Sequence, residues 1–430
     1  MRKLLLLLLL CPSLLAAQNL QWAGISFITR DAEVSEQFLH SYKLNKSLRP
    51  FLRRELLSLN NLNYELNLAE SETYRDGTIS FLLATDTERI SSGKLIVNDV
   101  TKCLSIYSLS LQAIVYDQAS QSILQITPFA GEVNHLDPLI DNDCKNRNNE
   151  LDTLRVLLFY LSLDKTRTEQ LDLLKIPFEE QVNLLLRESN DKNSLKMPNN
   201  LFGEFITSVK KLDLQAIKNT NYYIGISDVS LSELAQNQLS GNTELLENRY
   251  YADFFGFQKD AFNIWVSQQF TKWFNEAFDM PLIPFTKGRA LGGDVPIKFS
   301  DSTKILNLKL PSLDFGFKIK IRGFKKAKLD ESKLRQAFAW GAFGTVGFEN
   351  VGIQEYTSID IKNIFTEEVN KGDEIDDWKR FNLTLNKSMR DYIQNLKNPN
   401  KKWVKENTNL KLKDFKNHTN VIKNKIGLEG

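Results

Sequence analysis

Residues 313–324 read LDFGFKIKIRGF, and this segment has the clearest periodicity in the 430-residue chain. Every second position is apolar, at Phe315, Phe317, Ile319 and Ile321. The alternate positions carry the charged residues Asp314, Lys318, Lys320 and Arg322. A period of two predicts a β-strand with one face on a hydrophobic core and the other face in water. The segment therefore predicts a sheet that is covered on one side only.

The charged face of this strand is mostly basic, and more lysines follow it directly. We expect these cations to form a surface that binds a protein partner, and the candidate residues are Lys318, Lys320, Arg322, Lys325 and Lys326. Two alternatives stay open. One is a solvated β-surface whose lysines protect a sheet edge from aggregation. The other is a peripheral contact with an anionic surface.

The strand lies in the second of two segments that begin alike. Residues 223–227 read YIGIS and echo WAGIS at residues 22–26. A helical pattern follows each, at residues 34–59 and 252–279, and several strand patterns come next. A helix on a mostly antiparallel sheet predicts an α+β fold with two α/β-sandwich-like domains. A degenerate duplication would explain the repeat, although a similarity over five positions can also arise by chance.

The predicted organisation has five parts. Residues 1–17 form a leader, 18–147 an N-terminal α+β domain, 148–215 a helical connector, and 216–396 a C-terminal α+β domain. Within the connector, the polar residues 187–200 predict an exposed loop. Residues 397–430 hold nine lysines against three acidic residues and lose periodicity. We expect this last part to be a flexible basic tail.

The leader has the features of a secretory signal peptide. Arg2 and Lys3 precede an unbroken run of leucines, and Ala16 and Ala17 provide a small-residue cleavage site. The run is too short to span a bilayer. We therefore expect an exported protein, periplasmic or extracellular, that is soluble after cleavage before Gln18.

Charge and cysteine content limit the partners. The formal net charge of +2 equals the contribution of Arg2 and Lys3, so the chain after the leader is close to neutral. A neutral protein has no overall field that attracts nucleic acid. Cys103 and Cys144 remain after cleavage and are expected to form a disulfide in an oxidising compartment. Two unbonded buried thiols are the alternative.

Catalytic and metal-binding motifs are absent from the sequence. The histidines His40, His135 and His418 have no metal-ligand spacing, and neither H-E-x-x-H nor G-x-S-x-G occurs. In the acidic loop 137–152, Lys145 occupies a position where a calcium loop needs an oxygen ligand. The glycine-rich stretch 286–294 is not a P-loop, because its lysine precedes the glycines. The sequence predicts no catalytic residue, metal or cofactor.

The order of strand, helix and hairpin strands resembles the small α/β modules of bacterial envelope assembly factors. This topological resemblance rests on no motif, so it transfers no residue roles. It favours an exported, non-catalytic envelope protein that acts through protein–protein contacts, as an assembly or accessory factor. A secreted hydrolase that attacks an envelope or polymeric substrate through carboxylates is the alternative. Glu276, which is expected on the polar face of a helix, is one carboxylate considered for that role.

Overall fold

The computed structural model describes residues 19–29, 34–68, 78–97, 100–139, 144, 149–163, 176–191, 200–218, 222–239, 259–278, 280–285, 294–300, 302, 305–371 and 377–428. These residues form helices and strands in similar proportions, and the strands form two sheets. The α+β class is therefore confirmed. The leader and the glycine-rich residues 286–293 lie outside the described residues.

The first sheet contains seven strands of the described chain. They are β1 (Asn19–Ile28), β2 (Glu65–Asn67), β3 (Ile79–Val97), β4 (Val100–Asp117), β5 (Ile123–Pro138), β7 (Asp294–Phe299) and β8 (Ile305–Lys309). Their order is β5-β4-β3-β1-β7-β8, and β2 pairs separately with β1. The pairs of β1 with β2 and β3 are parallel, and the other pairs are antiparallel.

Helices cover one face of the first sheet. They are α1 (Val34–Gln37), α2 (Leu39–Leu57), α3 (Asn149–Leu161), α4 (Phe178–Asp191), α5 (Leu201–Lys210) and α6 (Leu214–Lys218). The aromatic centre of this core is Trp22, whose ring lies 4.9 Å from Phe81 and 5.7 Å from Phe205 between centroids. Since Phe205 belongs to α5, the helices predicted as a connector form part of the layer that covers the sheet.

The loop predicted at residues 187–200 is wrong at both of its ends. Residues 187–191 continue α4, and Ser189 is fully buried. Asn200 is also buried, and its Oδ1 accepts the Gly203 N–H at 2.8 Å as the N-cap of α5. Its Nδ2 donates to the carbonyl of Leu161, also at 2.8 Å. Asn200 therefore satisfies two helix ends rather than belonging to a solvated loop, and residues 192–199 lie outside the described residues.

The second sheet consists of four strands of the described chain. They are β6 (Ile224–Leu231), β9 (Phe315–Glu331), β10 (Arg335–Asn350) and β11 (Gln354–Asn370). Their order is β11-β10-β9-β6, with β6 parallel to β9 and the other pairs antiparallel. The helices of this half are α7 (Glu233–Leu239), α8 (Lys259–Phe278), α9 (Asp377–Lys397), α10 (Lys401–Asn407) and α11 (Leu412–Lys425).

The two sheets share one strand order, since β5-β4-β3-β1 matches β11-β10-β9-β6. In each, a strand and a helix lead to a parallel neighbour, and two antiparallel strands follow. The strands β7 and β8 depart from this match, because they come from the second half of the chain and pair with β1. The predicted boundary at residue 216 therefore does not coincide with a division between the sheets.

Helix α8 lies between the two sheets. Phe270 and Phe274 pack on Phe317 of β9, with ring centroids 5.2 and 5.5 Å apart. On its other side, Gln268 accepts the Ser110 hydroxyl of β4 at 2.9 Å and donates to Asp86 of β3. The molecule is therefore layered as helices, first sheet, helices and second sheet. The last sheet keeps one face in solvent.

The basic segment 397–430 is not the flexible tail that its composition predicts. Residues 401–407 and 412–425 form α10 and α11. Phe415, Ile422 and Ile426 are fully buried in the core that contains α9 and the second sheet. The lysines dominate the composition, but these apolar residues have helical spacing and hold the segment in place.

The predicted disulfide and the presence of membrane-spanning helices can both be examined in the structure. Cys103 of β4 and Cys144 lie at disulfide distance, with Cα atoms 5.6 Å apart, which agrees with the predicted pair. No helix in the described ranges is long and apolar enough to cross a membrane.

His418 gives the docking of α11 a pH dependence. The ring is buried, and its nitrogens lie 2.8 Å from the Thr357 and Tyr392 hydroxyl oxygens. Burial lowers the pKa of His418 from 6.5 to about 4. Because the unfolded chain binds this proton more tightly, stability is lost as the pH falls below 6.5.

We predict that His418→Gln removes a part of the acid sensitivity. Between pH 6.5 and 4, the wild-type free energy of unfolding should fall by about 3 kcal/mol more than that of the variant. Urea unfolding across this pH range measures the difference. Parallel pH profiles for the two proteins would contradict the assignment of this proton to His418.

Candidate functional site

The candidate basic surface lies on the solvent-facing side of β9. Phe317, Ile319 and Ile321 are buried, as the period-two pattern predicts. Lys320 and Arg322 are therefore exposed, and Lys318 is half-buried on the same face. Strand alternation thus places three of the five candidate residues together.

Two of these cations are paired with acids on other strands of the same sheet. Lys318 Nζ lies 2.5 Å from Glu349 Oε2 of β10. Arg322 forms an ion pair with Asp360 of β11, which also accepts the Thr345 hydroxyl at 2.7 Å. Acidic residues therefore neutralise part of the positive charge on this face, and the face is not uniformly basic.

Lys318 is the most constrained cation of the face. Its hydrogen bond to Glu349 raises the pKa of Lys318, and Glu355 and Asp228 act in the same direction. The Glu349 side chain is only 8% exposed, and its other oxygen accepts the Ser227 hydroxyl at 2.7 Å. A nearly buried carboxylate needs such partners, because an unpaired buried charge is costly. Lys318 therefore has a structural role as well as a place on the surface.

Lys326 does not belong to the predicted surface. Its Nζ lies 3.1 Å from Asp377, which is buried in the first turn of α9, and 4.7 Å from the centre of the Phe338 ring. The cause is Gly323, where φ is +149° and the register of β9 against β10 shifts. The extra residue reverses the alternation. Lys325 is consequently exposed, whereas Lys326 turns toward the helices.

Lys320 and Lys325 are the two candidates that remain as surface cations. Both are exposed, and neither forms an ion pair within the described part of the chain. The sequence did not predict Glu349 and Asp360, the acids that pair with Lys318 and Arg322. Both acids lie in segments with a strand pattern. Which cation each acid pairs with depends on strand register, and local periodicity does not specify register.

The edge strand β11 borders this face and is partly capped. The Asp360 N–H donates to Asn409 Oδ1 at 3.0 Å, and Ile361 forms a bridge with Thr408. The Ile364 N–H donates to the side chain of Asn363 at 2.8 Å. The residues that join α10 to α11, together with Asn363, thus occupy part of an edge that would otherwise accept another strand.

The carboxylates whose pKa is raised lie in different layers. Burial raises the pKa of Glu88, although its oxygens accept the N–H groups of His40 and Ser41 at 2.8 and 2.7 Å. Glu88 thus caps α2, which has no side-chain cap of its own. Partial desolvation also raises the pKa of Glu276, which is an exposed residue of α8 near the ion pair of Lys272 with Glu204.

His40 and His135 contact side chains of neighbouring elements of the fold. His40 Nδ1 lies 2.8 Å from the Thr153 hydroxyl, and His135 packs edge-on against Tyr107. Among the described residues, no group of three histidine, cysteine or acidic side chains is arranged to hold a metal ion.

No protein-family model matches the chain, and a search of curated proteins found no match.

We predict that Lys318 and Lys320 differ in their effect on stability. Lys318→Glu removes the partner of the nearly buried Glu349 and adds a like charge, so it should cost about 1–3 kcal/mol. Lys320→Glu changes an exposed, unpaired residue of the same strand and should stay within about 0.5 kcal/mol of the wild type. Urea unfolding compares the two variants. Equal losses would show that the Lys318–Glu349 pair does not stabilise the sheet.

Proposed function

We propose that the chain is an exported, non-catalytic envelope protein that binds a protein partner, as an assembly or accessory factor. One observation carries the proposal. The second sheet is covered by α8 and α9 on one side, while its other side carries Lys320 and Lys325 in solvent. Exposed cations without a partner are available for complementary contacts and for steering association.

The proposal includes an organisation in two related α+β units. The shared strand order supports a degenerate duplication, with α2 in the first unit corresponding to α8 in the second. In this arrangement α3 to α6 complete the first unit, and β7 and β8 form an insertion that extends its sheet. The second unit then carries the partner surface.

Export is part of the proposal and rests on two observations. The leader has the composition of a signal peptide. In addition, the disulfide distance between Cys103 and Cys144 fits an oxidising compartment.

The hydrolase alternative receives no specific support. A hydrolytic pair of carboxylates requires a shared cleft and perturbed pKa values. The Glu88 carboxylate accepts backbone N–H groups at the start of α2, whereas Glu276 lies on the helix between the sheets. Among the described residues, these two carboxylates do not share a cleft in which one substrate could contact both.

We predict that a photo-crosslinking amino acid at position 320 captures an envelope partner in intact cells. The matched control is position 43, since Lys43 is an exposed lysine on α2 of the first unit. Capture at 320 should decrease when Lys325 is changed to Glu, because this reverses a neighbouring charge. It should also decrease with added salt, since exposed charges are screened over about 8–10 Å at physiological ionic strength.

The recovered adduct should come from the envelope fraction, and its chain should begin at Gln18. Adducts of the same identity and yield at positions 320 and 43 would contradict the surface assignment. A full-length product confined to the cytosol would contradict export.

A further inference from the structure

A polar cleft of about 790 Å³ lies at the edge of the second sheet, between β11, the C-terminal half of α9 and α10. Six of its twelve lining residues are carboxamides, namely Asn363, Gln394, Asn395, Asn398, Asn400 and Asn407. A carboxamide both donates and accepts hydrogen bonds. Asn363 and Asn395 already use both ends of their amides in hydrogen bonds within the chain. The free donors and acceptors of the cleft therefore come from Gln394, Asn398, Asn400 and Asn407, and its volume is in the range of small-molecule sites.

Several of these amides are held in place by the fold. Asn400 caps α10, since its Oδ1 accepts the N–H groups of Lys402 and Trp403 at 2.9 and 3.1 Å. Asn407 Nδ2 donates to the Trp403 carbonyl at 3.2 Å. Each bond uses one end of the amide, and the other end makes no hydrogen bond within the described chain. Amides fixed in this way lose little conformational entropy when a ligand binds.

The exposed rim of the cleft carries further amides. Gln394 and Asn398 lie one turn apart near the end of α9, and both are exposed. Their side chains make no hydrogen bond to the described residues, so a ligand would not have to displace an existing contact.

The charges that line the cleft cancel. Lys387 Nζ lies 2.5 Å from Asp391 Oδ2. Lys402 and Glu406 add one charge of each sign, four residues apart on α10. A lining without net charge provides no electrostatic selection for a phosphate, a carboxylate or a cation.

Trp403 adds an aromatic surface to this polar lining. Its ring is half-buried and packs edge-on against Phe415, with centroids 5.9 Å apart. A fixed indole beside hydrogen-bonding amides suits a ligand with hydroxyl groups around its edge and C–H groups on its face. Sugar rings have this combination.

An added peptide strand fits the cleft less well. Strand addition uses the outward N–H and C=O groups of an edge strand. At the cleft, the Ile364 N–H is already bonded to Asn363 Oδ1. An occupant must therefore bind mainly to side-chain amides.

We propose that this cleft binds an uncharged sugar chain. Its amides would bind the hydroxyl groups, and Trp403 would contact one ring face. The inference goes beyond the proposed partner-binding function, and the cleft does not include Lys320 or Lys325.

The test uses saturation-transfer NMR with the full mature chain and three neutral probes: cellotriose, maltotriose and triacetylchitotriose. At least one probe should bind with a Kd of about 5 mM or tighter. The double variant Gln394→Ala, Asn398→Ala removes two exposed amides and should weaken that binding about tenfold or more. The matched control, Asn183→Ala with Gln215→Ala, removes two exposed amides from α4 and α6 and should leave binding unchanged.

Both double variants should keep the wild-type Tm, because all four side chains are exposed. Absence of binding for all three sugars at about 10 mM would overturn the proposal, since so weak an affinity has no specific site. Equal losses in the two double variants would also overturn it. An uncharged heptapeptide of alternating serine and valine provides a strand-addition probe. Binding of this peptide without binding of the sugars would identify a peptide site instead.

Discussion

The structure depends on a helix that is buried between two sheets. Helix α8 packs phenylalanines on the second sheet, but the same helix also buries polar residues, including Ser267 and Gln268. Buried polar groups must find hydrogen-bond partners. Gln268 finds them in Ser110 and Asp86, where β3 has a register shift. The position of α8 therefore requires that the first sheet supply polar groups at this point, which links the two halves of the chain.

The arrangement of the surfaces follows from this layering. Since α8 and α9 cover one side of the second sheet, the opposite side is left to charged residues, and ion pairs across the strands offset part of the charge. The cleft lies where the end of α9 meets α10 beside β11. Asn400 both begins α10 and lines the cleft, so the residues that end one helix and start the next also create the candidate binding surface.

Local sequence patterns predicted the features that depend on neighbouring residues in the chain. The buried face of β9 follows from alternation alone, and the approach of Cys103 to Cys144 follows from the number of cysteines that remain. Lys326 was assigned to the wrong face because the register shift near Gly323 interrupts the alternation. The helices at 401–425 were missed because lysines outnumber the apolar residues that hold them. Pairing of Lys318 with Glu349, and the insertion of β7 and β8 beside β1, depend on long-range register, which no local period encodes.

Native-state hydrogen exchange on the Gln268→Ala variant tests most directly whether α8 links the sheets. The substitution removes the hydrogen bonds to Asp86 and Ser110 and leaves the phenylalanine contacts of α8 in place. If the link stabilises both halves, the slowest amides of β4 and β9 should lose protection by the same amount, about 1–3 kcal/mol. Loss of protection in β4 alone, with β9 unchanged, would show that the sheets are stabilised independently and would contradict this account.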